Sequence, residues 1–595
     1  MSNNIHHEGS GDLTEPAKNI IYSTDPADFH YVSVNVPCQS ACPAQTNVPA
    51  YIRALYEGWY GDSYDLNRIV NLMPGVLGRI CSRPCEQKCR HGEHELGRAV
   101  NICHVKRAAS DHKDVNHVLL EPLFPPLGKK VCVVGSGPAG LAAAHDLSAT
   151  GAHVTLLEAL DEPGGMLRYG IPEFRLPRDI LTTEIESILR LGITLKTGVR
   201  VGADVSVEQL LSDYDAVLIA AGCYTSKQLE IPGEHLPGVL SGLDFVMQIA
   251  SGHSPEVGER VLVLGAGFTA FDCARSALRL GAEDVSICIR ATEHDLRVTE
   301  DEIYETKREG IRIKGLIAAN RVVGQMTVEG VEFSRTEPRE VLSSGRRRII
   351  PIPGSEFIEP ADTVIVAIGQ GAEPIPSPGK KNERGVLEGD PKTFRTSVPR
   401  LYATGDFNTG PTTVIESLAA GRKAAERIAE DLTGKKFREW SIRIQDAKIT
   451  DRQRSWDFIP RQEMPSVPIE NRLNPCPTVE IEIGYPKGQA LEESKRCYLC
   501  YLHYEIDISK CIYCRLCIDS APRDCIKLVS EVIVGRDGAI QELVETSDWR
   551  NVSAVVIDNS RCIRCGECVR VCPVDCISVS KVELVERALQ GGGES

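Results

Sequence analysis

An excess of positive charge is missing from this 595-residue chain: 67 Lys and Arg face 82 Asp and Glu, for a net charge of −15. That balance argues against a nucleic-acid partner and leaves no basic patch for a membrane surface, while suiting a soluble electron-transfer protein. Long apolar runs are missing too. None approaches the roughly 20 residues that span a bilayer, so no direct membrane insertion is expected. The polar N-terminus lacks the charged-then-apolar order of a signal peptide, and a cytoplasmic location is expected. No acid/base constellation stands out from ordinary surface carboxylates, so no catalytic side chain is nominated.

Cysteine, by contrast, is abundant. There are 22, six of them between Cys38 and Cys103 and eleven between Cys497 and Cys576. With two-residue spacings repeated and no secretion signal, iron-sulfur ligation explains this crowding better than disulfides do. Cys132, Cys223, Cys273 and Cys288 stand apart in apolar strand or helix contexts and read as small buried hydrophobes.

The segment from Val131 to Gly140 has four apolar residues, then Gly135-Ser136-Gly137-Pro138-Ala139-Gly140, then an alanine-rich helix. Glycines there let the backbone approach a pyrophosphate, and the helix start offers it free N–H groups. A second strand ends in Glu158, placed to accept the ribose hydroxyls of an adenosine moiety. Gly164 to Pro172, including Gly165 and Met166, reads as a loop lying along a flavin. The pattern then repeats at Val261 to Ala270, with Gly265 and Gly267, and its second strand ends in Arg290 instead of an acid. An arginine at that point can pair with a 2′-phosphate, which favours NADPH over NADH. Arg297 and Lys307 are read as solvated. Farther on, a strand reaches Gly405-Asp406 before a helix beginning near Thr413; the acid is placed to hold the ribityl or pyrophosphate end of FAD, with the helix start adding positive dipole. Two dinucleotide folds in one chain imply a hydride passed between two dinucleotides.

The C-terminal spacing is the most specific. Cys511-x2-Cys514-x2-Cys517 and Cys562-x2-Cys565-x2-Cys568-x3-Cys572-Pro573 form the two halves of a bacterial-type ferredoxin with crossed ligation. Cys511, Cys514, Cys517 and Cys572 would complete one cubane. Cys562, Cys565 and Cys568 would need a fourth ligand where Ala521 stands, and Cys525 is expected to supply it through a shifted loop. The alternatives are a changed ligand, fewer irons or no second cluster. Cys476, Cys497 and Cys500 could assist or form a third site.

The motifs Gly78-Arg79-Ile80-Cys81-x3-Cys85-Glu86-x2-Cys89, Gly164-Gly165-Met166-Leu167-x-Tyr169-Gly170-Ile171-Pro172, Gly265-x-Gly267-x4-Asp272-Cys273-Ala274-Arg275 and Ala403-Thr404-Gly405-Asp406 resemble the small subunit of bacterial glutamate synthase and its relatives. That family includes the NADPH-binding subunit of electron-bifurcating transhydrogenase and the electron-input half of dihydropyrimidine dehydrogenase. The resemblance covers residues 36 to 435; the ferredoxin-like end looks like an appended module. It implies FAD at the first loop, with Glu158 and Asp406 at opposite parts, and synthase chemistry left to a partner. The family's two N-terminal clusters need a Cys-x2-Cys pair before Cys38. None stands there, so one cluster is expected, on Cys42, Cys81, Cys85 and Cys103, with Cys38 or Cys89 as rivals for the last place. Lys106 occupies the family's fourth position, and Ile289-Arg290-Ala291 replaces a family pair of arginines.

The expected architecture is an α/β core of two interleaved Rossmann-like domains, a helical N-terminal iron-sulfur domain and an α+β ferredoxin-like end. Its parts are a tail (1–20), the helical domain (21–120), an FAD domain in two parts (127–245 and 376–435) around an NAD(P)H domain (246–375), a linker (436–489) and the ferredoxin-like domain (490–584). The expected function is transfer of electrons between NAD(P)H and a ferredoxin or other redox subunit of a hetero-oligomer, through FAD, one N-terminal and two C-terminal [4Fe-4S] clusters. The alternatives are an electron-distributing scaffold with a vestigial nicotinamide site, or a bifurcating subunit.

Overall fold

The computed structural model describes residues 25–93, 97–114, 124–341, 347–448, 450–473, 478–534, 540–559 and 561–589. The expected tail and Cys476 lie outside them.

The N-terminal region is built from short helices between Phe29 and His112, several opening on proline. Proline suits a first helical turn because the N–H it lacks has no partner there anyway. Cysteines sit at the ends of these helices: Cys81 follows the helix Pro74–Ile80 in an extended conformation, while Cys38, Cys85 and Cys103 lie in the first turns of theirs. That helix lies tightly on Ile102–His112, which carries Cys103. A Cβ on Gly78 would come within 2.7 Å of the Arg107 Cα, so only glycine allows the approach.

Two five-stranded parallel sheets form the centre. The first runs in the order Leu401–Ala403, Ala216–Ile219, Lys130–Val134, His153–Leu157, Thr194–Lys196. The second repeats it as Val239–Ser241, Thr363–Val366, Arg260–Leu264, Asp284–Cys288, Arg312–Lys314. Fully buried central strands explain their continuous apolar runs. An antiparallel meander over residues 317–360 fills the second domain's return connection. A ribbon pairing Thr225–Ser226 with Gln370–Gly371 joins the two domains. The second fold opens earlier than the expected boundary at 245/246, because the strand Val239–Ser241 already belongs to its sheet and the helix Gly242–Ala250 crosses that point.

The stretch expected to be a linker begins with a strand. Arg438–Asp446 pairs along its whole length with Ile577–Ala588, which also pairs with Leu502–Ile506. Alternating Trp440, Ile442 and Ile444 is the period-two pattern of such a strand. The chain then returns over the core, where Arg472 is fully buried against Glu305 and Glu309. One continuous apolar core joins the N-terminal helices, the first sheet's helices and the ferredoxin-like end, and the cysteine groups lie in it. No helix among the described residues is long and apolar enough to cross a membrane.

Candidate cofactor cleft and iron-sulfur sites

Both glycine loops open into one cleft of about 2090 Å³. Single-ligand pockets hold some 300–1,000 Å³ (roughly), so this volume accommodates two dinucleotides end to end. At the first loop the Ser136 N–H (3.0 Å) and hydroxyl (2.5 Å) donate to one Glu158 oxygen, and the Leu160 N–H donates to the other at 2.9 Å. Glu158 thus pins the loop to the end of the second strand, and its free lone pairs face the cleft. A Cβ built on Gly137 or Gly267 meets nothing within 4 Å, although both residues line the cleft. Each loop therefore leaves a hollow at the start of a twelve-residue helix, the shape a pyrophosphate fills. Gly165 and Met166 line the cleft beside the first loop, as do Asp406 and Thr413. Asp406 accepts from the Thr412 N–H (3.0 Å) and hydroxyl (2.6 Å) and from Ser417 (2.8 Å). Burial raises its pKa against these donors. Thr413 caps the helix Val414–Thr433 in a reciprocal box with Glu416.

At the second loop Arg290 is exposed to the cleft, joined by Arg297 and Arg348. None of the three has an ion-pair partner among the described residues. Arg297 lines the cleft with an exposed side chain, in keeping with the solvated reading of the sequence. Lys307 is engaged elsewhere, at 2.5 Å from Glu293. Arg348 comes from the meander, where no spacing motif announces it. Arg175 ties the two halves together by donating to both Asp272 oxygens at 2.8 and 2.9 Å.

The N-terminal domain brings Cys42, Cys81, Cys85 and Cys103 together. The thiols of Cys81 and Cys85 lie within hydrogen-bond reach of Cys103, and Cys42 lies beside Cys85. The Lys106 ammonium couples to all four; burial works against its charge, and negative charge on the four sulfurs favours it. A cluster bound by four thiolates is anionic, so a buried ammonium is a countercharge there, and Lys106 need not be a ligand. Ile80 and Ser82, on either side of Cys81, line the dinucleotide cleft. Cys38 and Cys89, the rivals for the last place, lie instead beside Cys497 and Cys500.

At the ferredoxin-like end Cys511, Cys514 and Cys517 share a small apolar pocket with both Cys572 and Cys576, whose sulfurs are 3.5 Å apart. Two thiols thus compete for the fourth position of this set. Cys525 lies within hydrogen-bond reach of Cys562 and beside Cys565 and Cys568, so the shifted loop does carry it to the second set. Among the described residues no three His, Cys, Asp or Glu side chains are spaced for a single metal ion. Thiolates arranged around a cubane need not converge on one point. Replacing Cys525 with Ala is expected to remove about four iron atoms per chain, measured by iron analysis after anaerobic reconstitution; unchanged iron would remove Cys525 from the ligand set.

Three family models match: pyridine nucleotide-disulphide oxidoreductase over residues 129–421, dihydropyrimidine dehydrogenase domain II with its 4Fe-4S cluster over 31–118, and a 4Fe-4S binding domain over 555–578. The chain is 36% identical over 502 residues to the NADP(+)-dependent formate dehydrogenase subunit beta of Moorella thermoacetica, an alignment covering 79% of this chain and 71% of the relative. It is 34% identical over 519 residues to the NADPH-Fe(3+) oxidoreductase subunit beta of Geobacter sulfurreducens, covering 80% and 77%. The glutamate synthase [NADPH] small chain of Escherichia coli matches at 34% over 423 residues, covering 66% of this chain and 88% of the relative.

Proposed function

Because this chain belongs to the glutamate synthase small-subunit family of flavoprotein oxidoreductases, we propose that it takes electrons from NADPH and delivers them singly to a partner redox protein. The observation that carries this reading is the shared wall: both dinucleotide loops and the residues flanking Cys81 border one cleft. FAD, when bound, supplies the exchange between a two-electron donor and one-electron acceptors. The chain's own residues align the reactants. Gly135, Gly137, Gly140 and Glu158 would hold the FAD pyrophosphate and ribose, and Asp406 and Thr413 the far end of the flavin. Gly265, Gly267 and Arg290 would hold the nicotinamide dinucleotide. Hydride transfer depends on this alignment more than on any acid or base. The three cysteine sets would hold [4Fe-4S] clusters.

The exit is best placed at the set around Cys511. Cys514 is exposed, and Ile508, Ile512, Leu516 and Trp549 stand in solvent near it, an apolar rim of the kind a partner subunit covers. Anaerobic mixing tests the reading: NADPH is expected to bleach the flavin, and failure of both NADPH and NADH to do so would overturn it. Three guanidinium groups without an ion-pair partner among the described residues favour the phosphorylated nucleotide. Arg290→Ala is expected to raise KM for NADPH about 10-fold, the loss of roughly 1.4 kcal/mol, and to leave KM for NADH unchanged in steady-state assays.

A further inference from the structure

Apart from the isolated Cys132, Cys223, Cys273 and Cys288, four described cysteines remain outside the three sets. Cys38 and Cys89 come from the N-terminal helices; Cys497 and Cys500 follow the helix Lys487–Lys495 at the other end of the chain. Each of the six pairings among them is coupled electrostatically in the fold. All four lie in or against the main core.

The Cys497–Cys500 loop has the backbone of the cluster loops. In Cys511-Ile512-Tyr513-Cys514 the residue before the second cysteine has φ 55° and donates its N–H to the first sulfur at 3.4 Å. In Cys497-Tyr498-Leu499-Cys500 the same residue, Leu499, has φ 52° and donates to Cys497 Sγ at 3.4 Å. Arg564, between Cys562 and Cys565, has φ 56°. A left-handed conformation costs a leucine about 1–2 kcal/mol, and such strain persists where the surroundings demand it.

Countercharge is also in place. The guanidinium of Arg564, 0% exposed, couples electrostatically to both Cys500 and Cys562 and donates from Nη1 to the Cys562 carbonyl. That of Arg452, 1% exposed, donates from Nε to the Cys497 carbonyl at 3.3 Å. Arg564 Nη2 and Arg452 Nη1 are buried with no hydrogen-bond partner among the described residues. Buried guanidinium donors left without acceptors are costly, and cluster sulfurs would accept from them.

We propose that Cys38, Cys89, Cys497 and Cys500 hold a further [4Fe-4S] cluster, with the paired thiolates absent from the start of the chain supplied from its other end. This rests on reading the protein as an iron-sulfur oxidoreductase. The cluster stands between the other sets: Tyr51 lies beside Cys38 and also beside Cys42, Cys85 and Cys103, while Arg564 links Cys500 to Cys562, and Cys568 lies beside Cys517. It thereby completes a path from the cleft to the exposed Cys514, along which single electrons move and no bond is made or broken. The N-terminal and ferredoxin-like regions are held by one shared metal site.

The test uses the full chain, reconstituted anaerobically with iron and sulfide. Wild type is expected to saturate at about 16 iron atoms per chain and the Cys497→Ser/Cys500→Ser double variant at about 12. The variant should keep its FAD and its rate of flavin bleaching by NADPH. NADPH-driven reduction of the ferredoxin-like clusters, followed by EPR, should fall at least about 10-fold in the variant, a change of roughly 1.4 kcal/mol. A wild type that saturates at about 12, or a variant that keeps all the wild-type iron, overturns the proposal. The wild-type count needs no variant to fold. A flavin that NADPH fails to bleach would reject the proposed function and leave the iron count to decide this cluster.

Discussion

Gly137→Val is expected to yield a folded chain that no longer holds FAD. Gly137 has φ −72° and ψ −176°, a conformation open to any residue, and nothing in the protein stands within 4 Å of an added Cβ. The isopropyl group would project instead into the hollow at the start of Pro138–Ala149. It would exclude the pyrophosphate from the helix N–H groups, and each charge-assisted hydrogen bond lost there is worth about 1.5–3 kcal/mol. Two such losses reach about 4 kcal/mol, so FAD affinity should fall about 1,000-fold. The protein should purify colourless in flavin absorbance, keep its iron and keep its melting temperature relative to the wild-type apoprotein. Gly140 gives the contrast. A Cβ there would come within 1.8 Å of the Gly135 carbonyl oxygen, so Gly140→Val should disrupt the loop itself and lower stability along with binding.

Asp146→Ala is expected to loosen the joint between the FAD domain and the C-terminal end. Asp146 is 4% exposed on the helix Pro138–Ala149 and accepts from Arg422 at 2.9 Å and Arg438 at 2.5 Å. Arg422 reaches on to Glu586 at 2.7 Å, on the strand that pairs with Arg438–Asp446. Removing the carboxylate leaves two guanidinium groups in the interior with too little negative charge, at a cost of about 3–5 kcal/mol. The melting temperature should fall and the strand Ile577–Ala588 should lose protection in hydrogen exchange. The pH dependence has a definite sign. Burial alone would raise the Asp146 pKa, but Arg422 and Arg438 carry it well below the ordinary carboxylate range. Its contribution is therefore fully present above the unfolded value of about 3.9 and is lost as the pH falls toward the folded value. The stability gap between wild type and Asp146→Asn should shrink on acidification below about pH 4; a gap constant through that range would detach the joint from Asp146.

Which features were legible in the residues follows from the distance over which each is specified. The loops at Gly135–Gly140 and Gly265–Ala270, the acid at the end of the second strand and the ferredoxin spacings are each written within about 30 residues, the length of one βαβ unit. Local patterning also reaches the strand Arg438–Asp446, whose alternation was present in a stretch otherwise dominated by prolines. Its pairing partner was not legible, because that strand lies at the other end of the chain. Arg297 and Lys307 show the same limit. Both follow the second nucleotide strand, and only the folded position sends one to the cleft and the other to Glu293.

The sequence alone determined the two-dinucleotide core and the presence of iron-sulfur ligands at both ends, since backbone turns and cysteine spacing act locally. The tertiary structure decided how the thiols are grouped. It set Cys103 with Cys42, Cys81 and Cys85, placed Cys572 and Cys576 together, and carried Cys497 and Cys500 to Cys38 and Cys89. The physical reason is that a cluster site is a volume bounded by thiolates, and a thiolate reaches it from any point of the chain that packing brings close. Spacing specifies which cysteines share a loop, whereas the common core specifies which loops share a site.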